Sequence, residues 1–272
     1  MSEPSKKEKN KDSMKNIIVV SLAVCFVCSI VVSSAAVFLK PQRLANKDLD
    51  RNRNILEAAG LYDKASGQQV NIAEQFEKFE IRLVDLQEKR VLSDLEASDL
   101  GIDPASYDQR KAAKDPEISK ELETAEDIAS ISRRARYSTI YLLKDDSGDI
   151  EKVVLPLHGY GLWSILYGFI AIKGDMDTVS GITFYEHGET AGLGGEVDNP
   201  AWKELWPGKS IYKGDEVGLR VIKGNANPAN SNFDYQIDGL SGATLTSKGV
   251  ENMVVYWMGD EGFGPILDDL RS

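Results

Sequence analysis

Residues 17–39 form a run of 23 with no charged side chain. At a rise of about 1.5 Å per residue, such a helix crosses a hydrocarbon core of about 30 Å with room for tilt. The run therefore predicts one transmembrane helix, preceded by a tail (residues 1–16) and followed by a charged linker (residues 40–54). Ser34 and Ala36 offer a small-residue cleavage site of the kind found in secretory signals. The run is longer than the roughly 7–15 apolar residues of a signal core, which favours a retained anchor. Lys6, Lys7, Lys9, Lys11 and Lys15 precede it, and Lys40, Arg43, Lys47, Arg51 and Arg53 follow. With the basic residues balanced, the positive-inside bias leaves orientation open. The short lysine-rich tail is the segment more easily left in the cytoplasm. Ser21, Cys25, Ser29 and Ser33 recur every fourth residue, a small-residue stripe that lets another transmembrane helix approach closely.

A mean hydropathy of −0.29 excludes a polytopic transporter. With 42% hydrophobic residues, the chain can build a core, so disorder throughout is also excluded. Both cysteines, Cys25 and Cys28, lie inside the apolar run, which excludes a disulfide scaffold and leaves the body unable to ligate an iron–sulfur cluster. Residues 1–54 hold 10 basic and 5 acidic groups, leaving 22 basic and 38 acidic in residues 55–272, a net charge of −16 there. An acidic body of this kind argues against nucleic-acid binding.

After the linker, Ile55, Leu56 and Ala59 predict a short helix stopped by Gly60. Ile72, Ala73, Phe76 and Phe79 keep helical spacing. Alternation at Phe79, Ile81 and Leu83 then predicts a strand. Residues 94–136 are rich in charged residues and alanine and read as surface helices and loops rather than core. From Tyr137 the pattern turns strand-rich. Residues 137–143 and 150–155 flank the turn 145–149 as a hairpin. The apolar run 162–172 is followed by a turn at Gly174 and Asp175 and a strand over 178–184. Residues 211–212, 218–223 and 233–237 are further strand candidates. Val250, Met253, Val254 and Trp257 lie at i, i+3, i+4 and i+7, the stripe of a helix over about 247–258. Hairpin-linked strands flanked by helices predict an α+β fold on an antiparallel sheet. The body divides into a helical and mixed part (55–136) and a strand-rich domain (137–272).

Self-sufficient active sites are poorly supported. There is no P-loop and no nucleophile elbow, and His158 and His187 are too few for a multi-histidine metal centre, so both read as structural. No catalytic residue is assigned. The informative segment is 238–247, Asp-Gly-Leu-Ser-Gly-Ala-Thr-Leu-Thr-Ser, which runs straight into the C-terminal helix. Ser241, Gly242 and Ala243 are small enough for a bulky group to approach the backbone. Thr246 or Ser247 is a candidate helix N-cap, and the helix N-terminus favours an anion there, such as a phosphate carried by Thr244. In a second segment, 187–196, glycines permit close approach, Leu193 offers an apolar surface, and Glu189 and Thr190 offer polar groups.

These segments carry a resemblance. Asp238, Ser241, Gly242, Ala243, Thr244 and Thr246 fall on the Asp-x-x-Ser/Thr-Gly-Ala-Thr/Ser-x-Thr motif of covalent FMN-binding domains. Glu189, Thr190, Gly192, Leu193 and Gly194 resemble the Glu-Thr-x-Gly-Leu-Gly loop of the same domains, and residues 159–164 resemble their glycine-aromatic strand entry. The resemblance implies FMN joined by a phosphoester to Thr244, with Thr246 the next hydroxyl to test. It implies that Ser241, Gly242, Ala243, Leu245 and Thr246 surround the attachment, and that Glu189, Thr190, Leu193 and Gly194 lie against the flavin. It further implies a flavin transferase that recognises the motif, Asp238 included, and moves FMN from FAD. Over its whole length, including the Gly-Phe-Gly-Pro tail at 262–265, the chain resembles C subunits of sodium-translocating NADH:quinone reductases. That resemblance implies an electron-relaying subunit of a complex that oxidises NADH, reduces ubiquinone and exports sodium. It also implies a single span in the bacterial inner membrane, a periplasmic body, and partnership with the other subunits. The rival readings are the G-type subunit of the Rnf ferredoxin:NAD oxidoreductase and a cofactor-free, membrane-anchored binding module.

Overall fold

The structure, a computed structural model, describes residues 14–63 and 70–271. Most of the expected tail, residues 1–13, lies outside the described residues. The chain divides into two units, Met1–Asp48 and Leu49–Ser272.

Helix α1 (Met14–Ala58) is one helix of 45 residues with Pro41 inside it. Its apolar section is the one described stretch long and apolar enough to cross a membrane, and those side chains are exposed. The charged stretch 40–54, expected as a linker, is helical throughout. Polarity is not irregularity here, because Lys, Arg, Leu and Ala are all good helix formers. Local bonds support it: Asn54 Nδ2 donates to the Asp50 carbonyl at 2.7 Å, and Arg53 pairs with Asp50. The helix stops as expected at Gly60 (φ +72°), where the Leu61 N–H reaches back to the Leu56 carbonyl.

In the second unit, α2 (Ile72–Phe76) is capped by the Asn71 side chain. Next come β1 (Phe79–Asp85), β2 (Arg90–Val91), α3 (Asp94–Asp99), α4 (Gln109–Ala112), β3 (Ser119–Glu121) and β4 (Arg133–Ala135). The main strands follow: β5 (Tyr137–Lys144), β6 (Ile150–Tyr160), β7 (Ile165–Lys173) and β8 (Val179–Glu186). Past a 3-10 turn (Gly194–Asp198) lie α5 (Pro200–Lys203), β9 (Tyr212–Lys213), β10 (Glu216–Val217), β11 (Arg220–Ile222), β12 (Gln236–Asp238), α6 (Thr244–Met258) and α7 (Gly264–Arg271). The antiparallel sheet is six-stranded, in the order β2-β1-β5-β6-β7-β8. Strand β1, from the mixed part of the body, thus pairs along its whole length with β5.

Strict alternation explains the layers. Ile140, Leu142, Val153, Leu155, Ile170 and Ile172 face one core with Val250, Met253, Val254 and Trp257 of α6. Tyr141, Leu143, Val154, Phe169 and Ala171 face the other, covered by Ile55, Leu56, Ala58 and Ala59 from the end of α1. The segment 94–136 is not wholly superficial. Leu122, Ala129 and Ile131 enter the main core, and Ala97 packs with Leu83, Leu92 and Tyr137. The expected strand over 233–237 begins as a 3-10 turn and becomes β12, which pairs in parallel with β11.

Candidate functional site

The site forms where three segments converge on the N-terminus of α6: the β6–β7 turn, the loop after β8, and residues 238–249. At its centre lies the Glu189 carboxylate. Oε1 accepts the backbone N–H groups of Leu162 and Trp163, both at 3.0 Å, and Oε2 accepts the Thr246 hydroxyl at 2.6 Å. Burial alone would raise the pKa of Glu189. The bonds from Thr246, Trp163 and Leu162 outweigh it and hold the carboxyl below its ordinary range.

The loop carrying Glu189 is itself braced. Gly188 N–H donates to Ser164 Oγ at 2.6 Å. His187 accepts the Glu189 N–H at Nδ1, and its Nε2 faces Asp198 at 2.8 Å, so this histidine orients the loop. Thr190 lends its carbonyl to the N–H groups of Leu193 and Gly195, closing the tight turn. Thr190 and Leu193 are exposed, whereas Gly194 is buried against Glu189 and Thr246.

Helix α6 starts three residues earlier than its apolar stripe implied. Its N-cap is Ala243, with no capping side chain, rather than Thr246 or Ser247. Both hydroxyls are engaged elsewhere: Thr246 donates to Glu189, and Ser247 Oγ accepts the Leu240 N–H at 2.9 Å. Thr244 thereby becomes the first helical residue and is exposed, as are Ser241, Gly242 and Leu245; Ala243 is buried. Asp238 lies at the end of β12, accepting the Ala226 N–H at its side chain and the Trp202 indole N–H at its carbonyl, both at 2.8 Å. Its visible work is to hold the strand that delivers residues 239–243.

The arrangement matches FMN chemically. A first helical turn with no capping side chain offers N–H donors and a positive dipole end to a phosphate. The converging segments also carry exposed apolar side chains, Trp163 (66% exposed), Leu193 (44%), Leu245 (62%) and Tyr160 (44%), of a kind suited to a flavin ring. Ser164 closes the 159–164 segment already singled out, whereas the bracing by Asp198 and Trp202 is invisible in the sequence, because no local spacing ties those two residues to the motifs.

Fold and site define an FMN-binding domain, and the family model of that description matches residues 161–259. The chain belongs to the family of C subunits of the Na(+)-translocating NADH-quinone reductase. It is 48% identical to that subunit of Pseudomonas aeruginosa over 265 residues, covering 97% of this chain and 98% of the relative. It is 45% identical to the Vibrio alginolyticus subunit, with 97% of each chain covered. Among solved structures, Shewanella oneidensis NqrC matches with a TM-score of 0.73 and 34% identity, over 84% of this chain and 99% of that one. The corresponding subunit from Parabacteroides distasonis matches with a TM-score of 0.61 and 25% identity, over 84% and 96%.

Proposed function

We propose that this chain is the electron-relaying C subunit of a membrane-bound, sodium-exporting NADH:ubiquinone oxidoreductase, carrying FMN in phosphoester linkage on Thr244. The observation that carries the reading is the contrast between two threonines. Thr244 opens to solvent at the helix start, whereas Thr246 is 0% exposed and its hydroxyl is committed to Glu189. A transferase acts on a hydroxyl it can reach.

In the attachment step, the Thr244 hydroxyl attacks the FMN phosphorus of FAD. A Thr244 Oγ–P bond forms, the pyrophosphate bridge breaks, AMP departs, and the hydroxyl proton passes to solvent or the leaving group. No electrons change hands. Bound FMN would supply the one-electron chemistry. The protein's part is to anchor the phosphate at α6, present apolar surface to the ring and limit water around it. Iron–sulfur chemistry falls to other subunits, since both cysteines lie in the apolar run. The apolar section of α1 anchors the protein in the inner membrane, with the body in the periplasm. There a covalent link prevents loss of the carrier.

The test is co-expression with a flavin transferase, followed by in-gel fluorescence under denaturing conditions. Wild type should show a fluorescent band and Thr244→Ala none, with the fold intact by circular dichroism. A band that persists in Thr244→Ala and disappears in Thr246→Ala would move the attachment by two residues. An alkaline phosphatase fused to the C-terminus should be active if the body is periplasmic and silent if it is cytoplasmic.

A further inference from the structure

We infer that Glu189 and Thr246 form a clasp that sets the direction of the Thr244 hydroxyl, making Thr246 a positioning residue and not a second flavin acceptor. The inference rests on the reading of Thr244 as the flavin-bearing residue and adds what makes that residue available.

Helical geometry supplies the first argument. At about 3.6 residues per turn, residues 244 and 246 point roughly 200° apart around α6. Pinning Thr246 inward therefore turns Thr244 outward, and the burial of the two residues follows that division. The pin is strong for its size: a hydroxyl donates at 2.6 Å to a carboxylate that is 9% exposed.

The second argument is that the surroundings are shaped for this contact. A Cβ on Gly161 would lie 2.6 Å from Glu189 Oε1. One on Gly194 would lie 2.6 Å from Glu189 Oε2 and 2.5 Å from Thr246 Oγ1. Both flanking positions are thus cleared for the carboxylate and hydroxyl to meet. Because Oε1 also holds the Leu162 and Trp163 N–H groups, the clasp ties the first turn of α6 to the turn bearing the exposed Trp163. One carboxylate thereby sets the helix rotation and the relative placement of the phosphate end and the apolar surface.

The experiment is a double-mutant cycle on the full-length protein, loaded in vitro with FAD and a purified flavin transferase, and followed by the initial rate of in-gel fluorescence. Thr246→Val and Glu189→Gln should each slow loading about tenfold, the size expected for a lost hydrogen bond to a charged group. The double variant should also be about tenfold slower, because each change removes the same charge-assisted contact between the Thr246 hydroxyl and the Glu189 carboxylate. Thr246→Ser, which keeps the hydroxyl, should load within about twofold of wild type. Thermal melts identify variants that remain folded, and flavin fluorescence anisotropy in the loaded Thr246→Val protein should fall. Unchanged loading in Thr246→Val, a double variant about a hundredfold slower, or no rescue by Thr246→Ser would each overturn the clasp. Thr244→Ala runs in parallel. A band in that variant defeats the acceptor assignment itself, whereas a blank lane beside a flat cycle defeats only the clasp.

Discussion

The Trp257 indole N–H donates to the His158 carbonyl at 2.7 Å, with the two rings 4.8 Å apart. This contact joins α6 to β6 on the core side of the sheet, beneath the strand end that enters the site. The His158 ring also stacks on Tyr167, whose face carries the Arg110 guanidinium. Burial, and secondarily the Arg110 charge, pull the His158 pKa down to about 4.

His158 therefore makes stability pH-dependent in a defined window. The unfolded chain protonates it near 6.5, and the folded protein only near 4. Between these values the unfolded state binds the extra proton, so stability falls as pH drops from 6.5 towards 4 and levels off below. The slope is at most about 1.4 kcal/mol per pH unit. Glu189 acts lower: its depressed pKa contributes stability that is complete above 4.5 and is lost as pH falls through the folded value. Urea unfolding at several pH values should show the upper window in wild type and not in His158→Gln. An identical slope in both proteins would assign that window to another group.

Arg110 links the mixed part of the body to the edge of the site. From α4 it grips Glu186, at the end of β8, through bonds of 2.6 and 2.8 Å. Both side chains are partly exposed, so Arg110→Ala should cost no more than about 1 kcal/mol. It should nevertheless raise the His158 pKa, because a repelling charge is gone. NMR titration of the His158 ring reads that shift directly, and an unmoved pKa would leave burial as the sole cause.

Gly249→Ala sets two effects against each other. Alanine in a helix interior gains about 1 kcal/mol over glycine. Here the new Cβ would collide with the Tyr160 carbonyl and lie 2.8 Å from Gly161 Cα, backbone that cannot yield without moving β6. Overpacking of this kind costs about 1–3 kcal/mol, so the variant should be less stable overall. Since Gly161 borders Glu189, flavin loading should slow as well. Thermal melts and the loading assay check both effects; a raised Tm would show that the two elements can separate without penalty.

The end of α1 belongs to the body's core. A chain starting at Leu49 should fold, with Ile55, Leu56, Ala58 and Ala59, each at most 1% exposed, still covering the sheet. A chain starting at Leu61 loses them and uncovers Val154, Phe169 and Ala171. At about 1.5–3 kcal/mol per buried Ile or Leu, the loss amounts to several kcal/mol, and that chain should aggregate or melt far lower. Cooperative unfolding of both truncations at the same temperature would contradict this.

Much of the architecture is legible in the residues. Alternation locates β1, and the turns at 145–149 and 174–175 locate β5, β6 and β8, because turn residues mark where apolar runs must reverse. Gly60 stops α1 where a left-handed residue is needed. A further local signal lies in Asn199-Pro200, the cap and first residue of α5, which carries a recognised helix-start pattern. The earlier start of α6 has a different cause. Thr246 and Ser247 have the chemistry of N-caps, but their hydroxyls bond to Glu189 and Leu240, partners supplied by the fold.

By itself, the sequence determined the apolar anchor, the antiparallel α+β body and the two motifs, all of which depend on local spacing and side-chain chemistry. Only the tertiary structure decided which of two threonines, 244 or 246, faces solvent. Their side chains are chemically identical, and the difference is made by a carboxylate 57 residues away in the chain, which takes the hydroxyl of one and so turns the other outward.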